Sequence, residues 1–180
     1  MVTIQEFKKI GIKELQKKLS LKNIHEVPQV DKVIVAIGIG SLATRKSQKD
    51  FSEFQDNLAK ITGQYPRMIL SKQSISNFKL REWLPVMLQV TLRKGKAYDF
   101  LWRLTTLVLP RVRDFAWLNS RNFDKQANLN IWLPNYNIFP ELQLEDVTIP
   151  MWLQITIVPT TNDKEQAKEL LKTIGFIFKD

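Results

Sequence analysis

Cations dominate the side chains able to do chemistry, and they are unevenly spread. Residues 61–121 carry 11 basic against 3 acidic side chains, whereas residues 1–60 carry 11 against 7 and residues 122–180 carry 5 against 8. Seven of the middle cations are arginines, namely Arg67, Arg81, Arg93, Arg103, Arg111, Arg113 and Arg121. Their planar guanidinium forks match phosphate oxygens and stack on bases. Aromatic rings are interleaved with them: Phe78 lies between Lys72 and Lys79 with Arg81 just beyond, and Phe115 and Trp117 follow Arg111 and Arg113. Rings beside cations suit unstacked RNA bases, although the same rings would also serve to pack their own loop or the core. A basic face can also act only to keep a protein soluble, so the charge favours a polyanion partner without naming one.

Other chemistries find less support. Gly38-Ile39-Gly40-Ser41-Leu42-Ala43 fits the G-x-G-x-x-A turn that takes a dinucleotide pyrophosphate, and a small nucleotide-binding α/β enzyme is the alternative reading. That turn needs a helix opening inside the motif and an acidic residue closing the next strand. Here the capping signal comes later, at Ser47, and the next strand ends Ile69-Leu70-Ser71. Glu141, Glu145 and Asp146 have no positioned nucleophile beside them, and Glu165 and Glu169 alternate with Lys164, Lys168 and Lys172 as solvated helix pairs do. With no cysteine and His25 alone, disulfides, thiolate chemistry, Cys-ligated metal and imidazole relays are excluded. No catalysis, cofactor or metal is expected.

At 180 residues, with a net charge of +9 and 44% apolar residues, the chain is too hydrophobic for a disordered basic tail. It is long enough to bury about two thirds of its unfolded surface without staples. No apolar run approaches the roughly 18 residues needed to cross a bilayer, and no membrane partner is expected. Met1–Lys18 has neither a signal-peptide core nor the Arg and Ser bias of a transit peptide, and reads as a mature start.

The elements that must position these residues follow from periodicity. Ile4, Phe7, Ile10, Ile12, Leu15 and Leu19 predict an amphipathic helix over residues 3–19, which Val27-Pro28 separates from a β-branched central strand, Val30–Ile39. Ser47 with Asp50 opens a helix whose face is Phe51, Phe54, Leu58 and Ile61, and Gly63 ends it. Strands are expected at Tyr65–Leu70 and Pro85–Leu92, joined by an extended basic loop, residues 71–84, far longer than a hairpin needs. A helix from Lys96 to about Leu109 stops at Pro110; Asn128–Leu133 and Leu153–Val158 are strands, and Asn162 caps a last helix ended by Gly175. The order predicts an α+β fold over residues 1–180: one domain, an antiparallel or mixed sheet of about five strands with helices packed on it, and residues 1–26 as N-terminal helix and linker.

Several segments carry a further signal: Val27-Pro28 leading into Val33–Gly40, Ile61-Thr62-Gly63-Gln64 with Pro66, Asn77-Phe78-Lys79-Leu80-Arg81 with Pro85, and Val90-Thr91-Leu92-Arg93. To these add Leu109-Pro110-Arg111-Val112-Arg113-Asp114-Phe115, Asn122-Phe123-Asp124, Ile138-Phe139-Pro140-Glu141 and the closing Gly175-Phe176-Ile177-Phe178-Lys179. In this order they resemble, over nearly the whole chain, the bacterial-type large-subunit ribosomal protein L-five family, which joins 5S rRNA to the central protuberance.

The resemblance implies a non-catalytic α+β protein of the ribosome with large-subunit rRNA and neighbouring central-protuberance proteins as partners. It implies 5S rRNA contacts at Gln64, Phe78, Thr91 and Arg93. The loop Ser71–Trp83, with Lys72, Lys79 and Arg81, would reach peptidyl-site tRNA. Arg111, Arg113 and Phe115 would lie in the region bridging to the small-subunit head protein S-thirteen. The chain departs from the family pattern at Ala36, where asparagine is usual, at Leu70 and Gln73, usually basic, at Asn77 and Trp83, usually glycine, and over Asp124–Asn137, usually glycine-rich and basic. The first loss removes an amide contact to 5S rRNA, and the next two weaken the tRNA loop. Drift toward lysine, isoleucine and asparagine points to an AT-rich organelle genome and a mitochondrially encoded copy, with the bacterial cytoplasm as the alternative.

Overall fold

The structure, a computed structural model, describes residues 11–45, 50–112, 118–143 and 149–178. Five strands form one sheet, β1 (Val30–Gly38), β2 (Arg67–Leu70), β3 (Pro85–Arg93), β4 (Leu129–Leu133) and β5 (Leu153–Pro159), in the order β2-β3-β1-β5-β4. The β-branched run of β1 occupies the centre, and consecutive Val35, Ala36 and Ile37 are all buried, as a strand covered on both faces requires. Neighbours are antiparallel. Arg67 pairs with Gln89 and Met68 with Leu88, Ile39 N–H donates to Val86 O (2.9 Å), Thr160 N–H to Gln29 O (2.9 Å), and Thr156 Oγ1 to Asn130 Oδ1 (2.7 Å). The α+β expectation therefore stands, with the sheet antiparallel throughout.

Helices are α1 (Ile12–Lys18), α2 (Gly40–Arg45), α3 (Ser52–Thr62), α4 (Lys94–Arg103) and α5 (Lys164–Ile174). The chain divides into two compact units, Met1–Val33, Leu92–Ile131 and Thr156–Asp180 in one, Ile34–Thr91 and Trp132–Ile155 in the other. Each has its own core. In the first, Phe100, Leu101 and Leu104 are buried, as are Leu129, Ile157, Leu170 and Leu171. In the second, Ile37 and Ile39 are buried, together with Phe54, Leu58 and Ile61 of α3, Leu88, Tyr136 and Ile155.

Local chemistry explains several boundaries. Asp50 Oδ1 accepts the Ser52 N–H (2.9 Å) at the start of α3, a bond that holds its carboxyl below the usual range. Ser47, the other half of the expected cap, lies outside the described residues, as do residues 3–10 of the expected first helix. The last helix is capped one residue later than expected, by Asp163, whose carboxylate accepts the Glu165 N–H (3.1 Å). The expected helix from Lys96 to Leu109 is instead α4 followed by a π turn, Leu104–Val108, and a 3-10 turn, Leu109–Arg111. Thr105 Oγ1 lies 3.0 Å from Leu101 O and 3.1 Å from Trp102 O, competing for the helix carbonyls just before Pro110 removes an amide donor.

The nucleotide-binding alternative is removed by this fold, although one reason for doubting it was wrong. A helix does open inside the glycine motif, because α2 starts at Gly40. It has 6 residues, however, and β1 lies beside antiparallel strands rather than in a parallel crossover. Gly40 is explained by packing: a Cβ there would meet Val86 Cγ1 at 3.1 Å, where Ile39 bonds β3.

Candidate nucleic-acid interface

Gln64 is delivered to the surface by the end of α3. Gly63 takes left-handed backbone (φ +66°) and its N–H donates to Ala59 O (2.8 Å), so the helix stops in one residue. The buried Thr62 hydroxyl bonds Leu58 O (2.7 Å) and lies 2.9 Å from Gln64 O, tying the next backbone unit to the last helical turn. Gln64 itself is exposed.

Thr91 and Arg93 owe their placement to strand alternation. Leu88, Val90 and Leu92 point into the core, so Gln89, Thr91 and Arg93 take the opposite face of β3, the first two half-buried and Arg93 exposed. Strands β4 and β5 alternate likewise, with Asn130 half-buried and Trp132 exposed on one and Gln154 and Thr156 half-buried on the other, each between buried neighbours.

The 71–84 loop has the expected length and exposed cations, and it is also internally bonded. Ser71 N–H donates to Leu84 O (2.8 Å) and Trp83 N–H to Ser71 O (3.0 Å), which closes the base. Ile75 and Leu80 bridge antiparallel around a 3-10 turn, Ser76–Phe78, and Glu82 N–H donates to Ser74 Oγ (2.9 Å). Lys79 follows in left-handed backbone (φ +52°). Phe78 is 73% exposed, which excludes its packing into the loop, and Lys72, Lys79 and Arg81 are exposed with no salt bridge among the described residues. Loop and helix come together here: Gly40, Ser41 and Thr44 of α2 face Asn77, Phe78 and Lys79 across a cavity of about 560 Å3. Sequence reasoning missed Ser41 and Thr44, because nothing local to them signals the cavity.

Arg111 is exposed at the end of the 3-10 turn that closes α4. Arg113 and Phe115 lie outside the described residues.

An antiparallel sheet and, between two of its strands, an internally bonded loop showing a ring among exposed cations define an α+β protein with a basic, aromatic surface of the kind that suits RNA. Comparison with known proteins names the kind. Residues 23–81 match the family model described as Ribosomal protein L5, and residues 85–178 match the model for the C-terminus of the same ribosomal protein family. A "Large ribosomal subunit protein uL5" of Halothermothrix orenii is 37% identical over 177 residues, 98% of either chain. A "Large ribosomal subunit protein uL5c" of Gracilaria tenuistipitata var. liui is 42% identical over 166 residues, 92% of either chain. A uL5 of Clostridium botulinum is 37% identical over 174 residues, 97% of this chain and 96% of that one. The chain belongs to the L5 family of ribosomal proteins. It is a structural constituent of the large ribosomal subunit and not an enzyme.

Proposed function

We propose that the chain anchors 5S rRNA and large-subunit rRNA in the central protuberance through Gln64, Phe78, Thr91 and Arg93. The observation that carries this reading is the 73% exposure of Phe78 on an internally bonded loop, where only a partner can cover the ring. Its neighbours Ser41, Thr44 and Lys79 suit the edge and phosphate of an unstacked nucleotide. Lys72, Lys79 and Arg81 extend the contact to peptidyl-site tRNA, supported by their exposure beyond any core contact. The segment that carries Arg111, Arg113 and Phe115 contributes to the bridge with the small-subunit head protein S-thirteen, a reading supported by the resemblance around Pro110 and by the exposure of Arg111. The ribosome concerned is that of a mitochondrion encoding its own copy, for which the drift toward lysine, isoleucine and asparagine speaks. The bacterial cytoplasm is the alternative, which the similarity to bacterial uL5 proteins favours.

Filter binding to a 5S rRNA transcript and to a labelled dinucleotide tests the reading. If four to six phosphates are neutralised, log K for 5S rRNA falls with log salt at a slope of roughly −3 to −5. Replacing Phe78 by alanine weakens binding by about 1 to 3 kcal/mol in a normally folded chain. A flat salt response, or dinucleotide binding with no RNA affinity, refutes it.

A further inference from the structure

We propose that Trp83 is a second base-stacking platform on the 71–84 loop, so that with Phe78 the loop receives unpaired RNA nucleotides on two exposed aromatic faces. The inference rests on the RNA-binding reading above and adds a residue to it. Trp83 has φ +64°, a backbone region where a Cβ crowds the following carbonyl and where glycine is preferred. The position is held rather than loose, since Trp83 N–H bonds Ser71 O at 3.0 Å and Ser71 N–H bonds Leu84 O at 2.8 Å. Yet the side chain is 71% exposed, so the fold accepts a strained backbone at a residue that contributes little burial.

The chemistry around the indole indicates its occupant. Phe78, Lys79, Arg81 and Trp83 are all exposed, so along six residues of chain two rings flank two cations, with the exposed Glu82 the one acidic side chain among them. A base stacked on either ring would have its flanking phosphates beside Lys79 or Arg81. An apolar protein surface laid over the rings would instead strip water from two cations with a single carboxylate, Glu82, in the stretch to offset them. The shared ligand chemistry is an unpaired nucleobase between phosphates, whether from 5S rRNA or from tRNA.

The test compares the full chain with its Trp83→Gly, Trp83→Phe and Phe78→Ala variants. Probes are an oligoadenylate of about a dozen nucleotides, a 5S rRNA transcript, a tRNA, and heparin as a polyanion without bases. Trp83→Gly is expected to bind the oligoadenylate about 5- to 150-fold more weakly. Its thermal midpoint stays unchanged or rises, because glycine relieves the strain. Trp83→Phe restores most of the affinity, and neither the heparin affinity nor the salt slope changes. Weakened binding to the 5S rRNA transcript or to the tRNA identifies the source of the nucleotide and supports the proposal. If Trp83→Gly binds every RNA as the native chain does while Phe78→Ala does not, the Trp83 assignment is overturned and the RNA-binding reading survives. If the native chain binds no RNA, both fall.

Discussion

Two of the segments that hold non-glycine residues in left-handed backbone send the side chains to opposite places. In the 71–84 loop, Lys79 (φ +52°) and Trp83 (φ +64°) are exposed. In the turn before β4, Ala127 (φ +61°) is completely buried. The means of holding the backbone are alike. Asp124 Oδ1 accepts the Gln126 and Asn128 N–H groups, both at 2.8 Å, and its Oδ2 accepts Asn128 Nδ2 at 2.8 Å, while Ser74 Oγ accepts the Glu82 N–H. A short polar side chain thus accepts backbone donors in both segments, two at Asp124 and one at Ser74. The difference lies in where the strained residue's side chain goes: that of Ala127 is buried in a core, and those of Lys79 and Trp83 stay exposed.

The contrast is broken most strongly at Ala127. Valine there should destabilise the fold by about 2 to 4 kcal/mol, combining a β-branched side chain in left-handed backbone with overpacking of a closed site. Thermal or denaturant unfolding would read the loss, and a midpoint within about 0.5 kcal/mol of native would show that the turn yields.

Asp124→Asn should have a smaller effect, about 1 kcal/mol, because the amide cannot accept with both ends. Burial pushes the Asp124 carboxyl up, but the bonds from Asn128 and Gln126 outweigh this and hold it below its ordinary value, helped by the charge of Lys164. A carboxyl with a lowered folded value contributes stability above its unfolded value of about 3.9, and loses it as pH falls through the folded one. The native chain should therefore weaken below about pH 4 more steeply than Asp124→Asn, measured by denaturant midpoints across that range. Parallel pH curves would remove the carboxylate from the account.

The mirror change, Ser74→Ala, should be the mildest for folding, at about 0.5 kcal/mol, since water can replace the lost acceptor in an exposed loop. RNA affinity should still fall several-fold as the loop backbone loosens. An affinity equal to native would mean that loop rigidity does not contribute to binding.

What was legible in the sequence alone is the set of signals local to a turn or two of chain. The faces of α3 and α5, the stops at Gly63 and Gly175 and the buried run of β1 follow from periodicity and capping. So does the excess of cations around Phe78. These depend on energies between residues a few positions apart, which any homologous stretch would show. Tertiary structure decided the rest. A Cβ at Gly40 would crowd Val86, 46 positions away in sequence, and Ser41 and Thr44 line the cavity because residues 77–79 of the loop lie opposite α2. The long loop read as irregular because its order comes from antiparallel bonds between its two arms, Ser71 with Trp83 and Leu84 and Ile75 with Leu80. The exposure of Trp83 and the burial of Ala127 were likewise hidden, since both residues adopt a backbone that their side chains disfavour. Only contacts and hydrogen bonds closed through the folded chain hold them there.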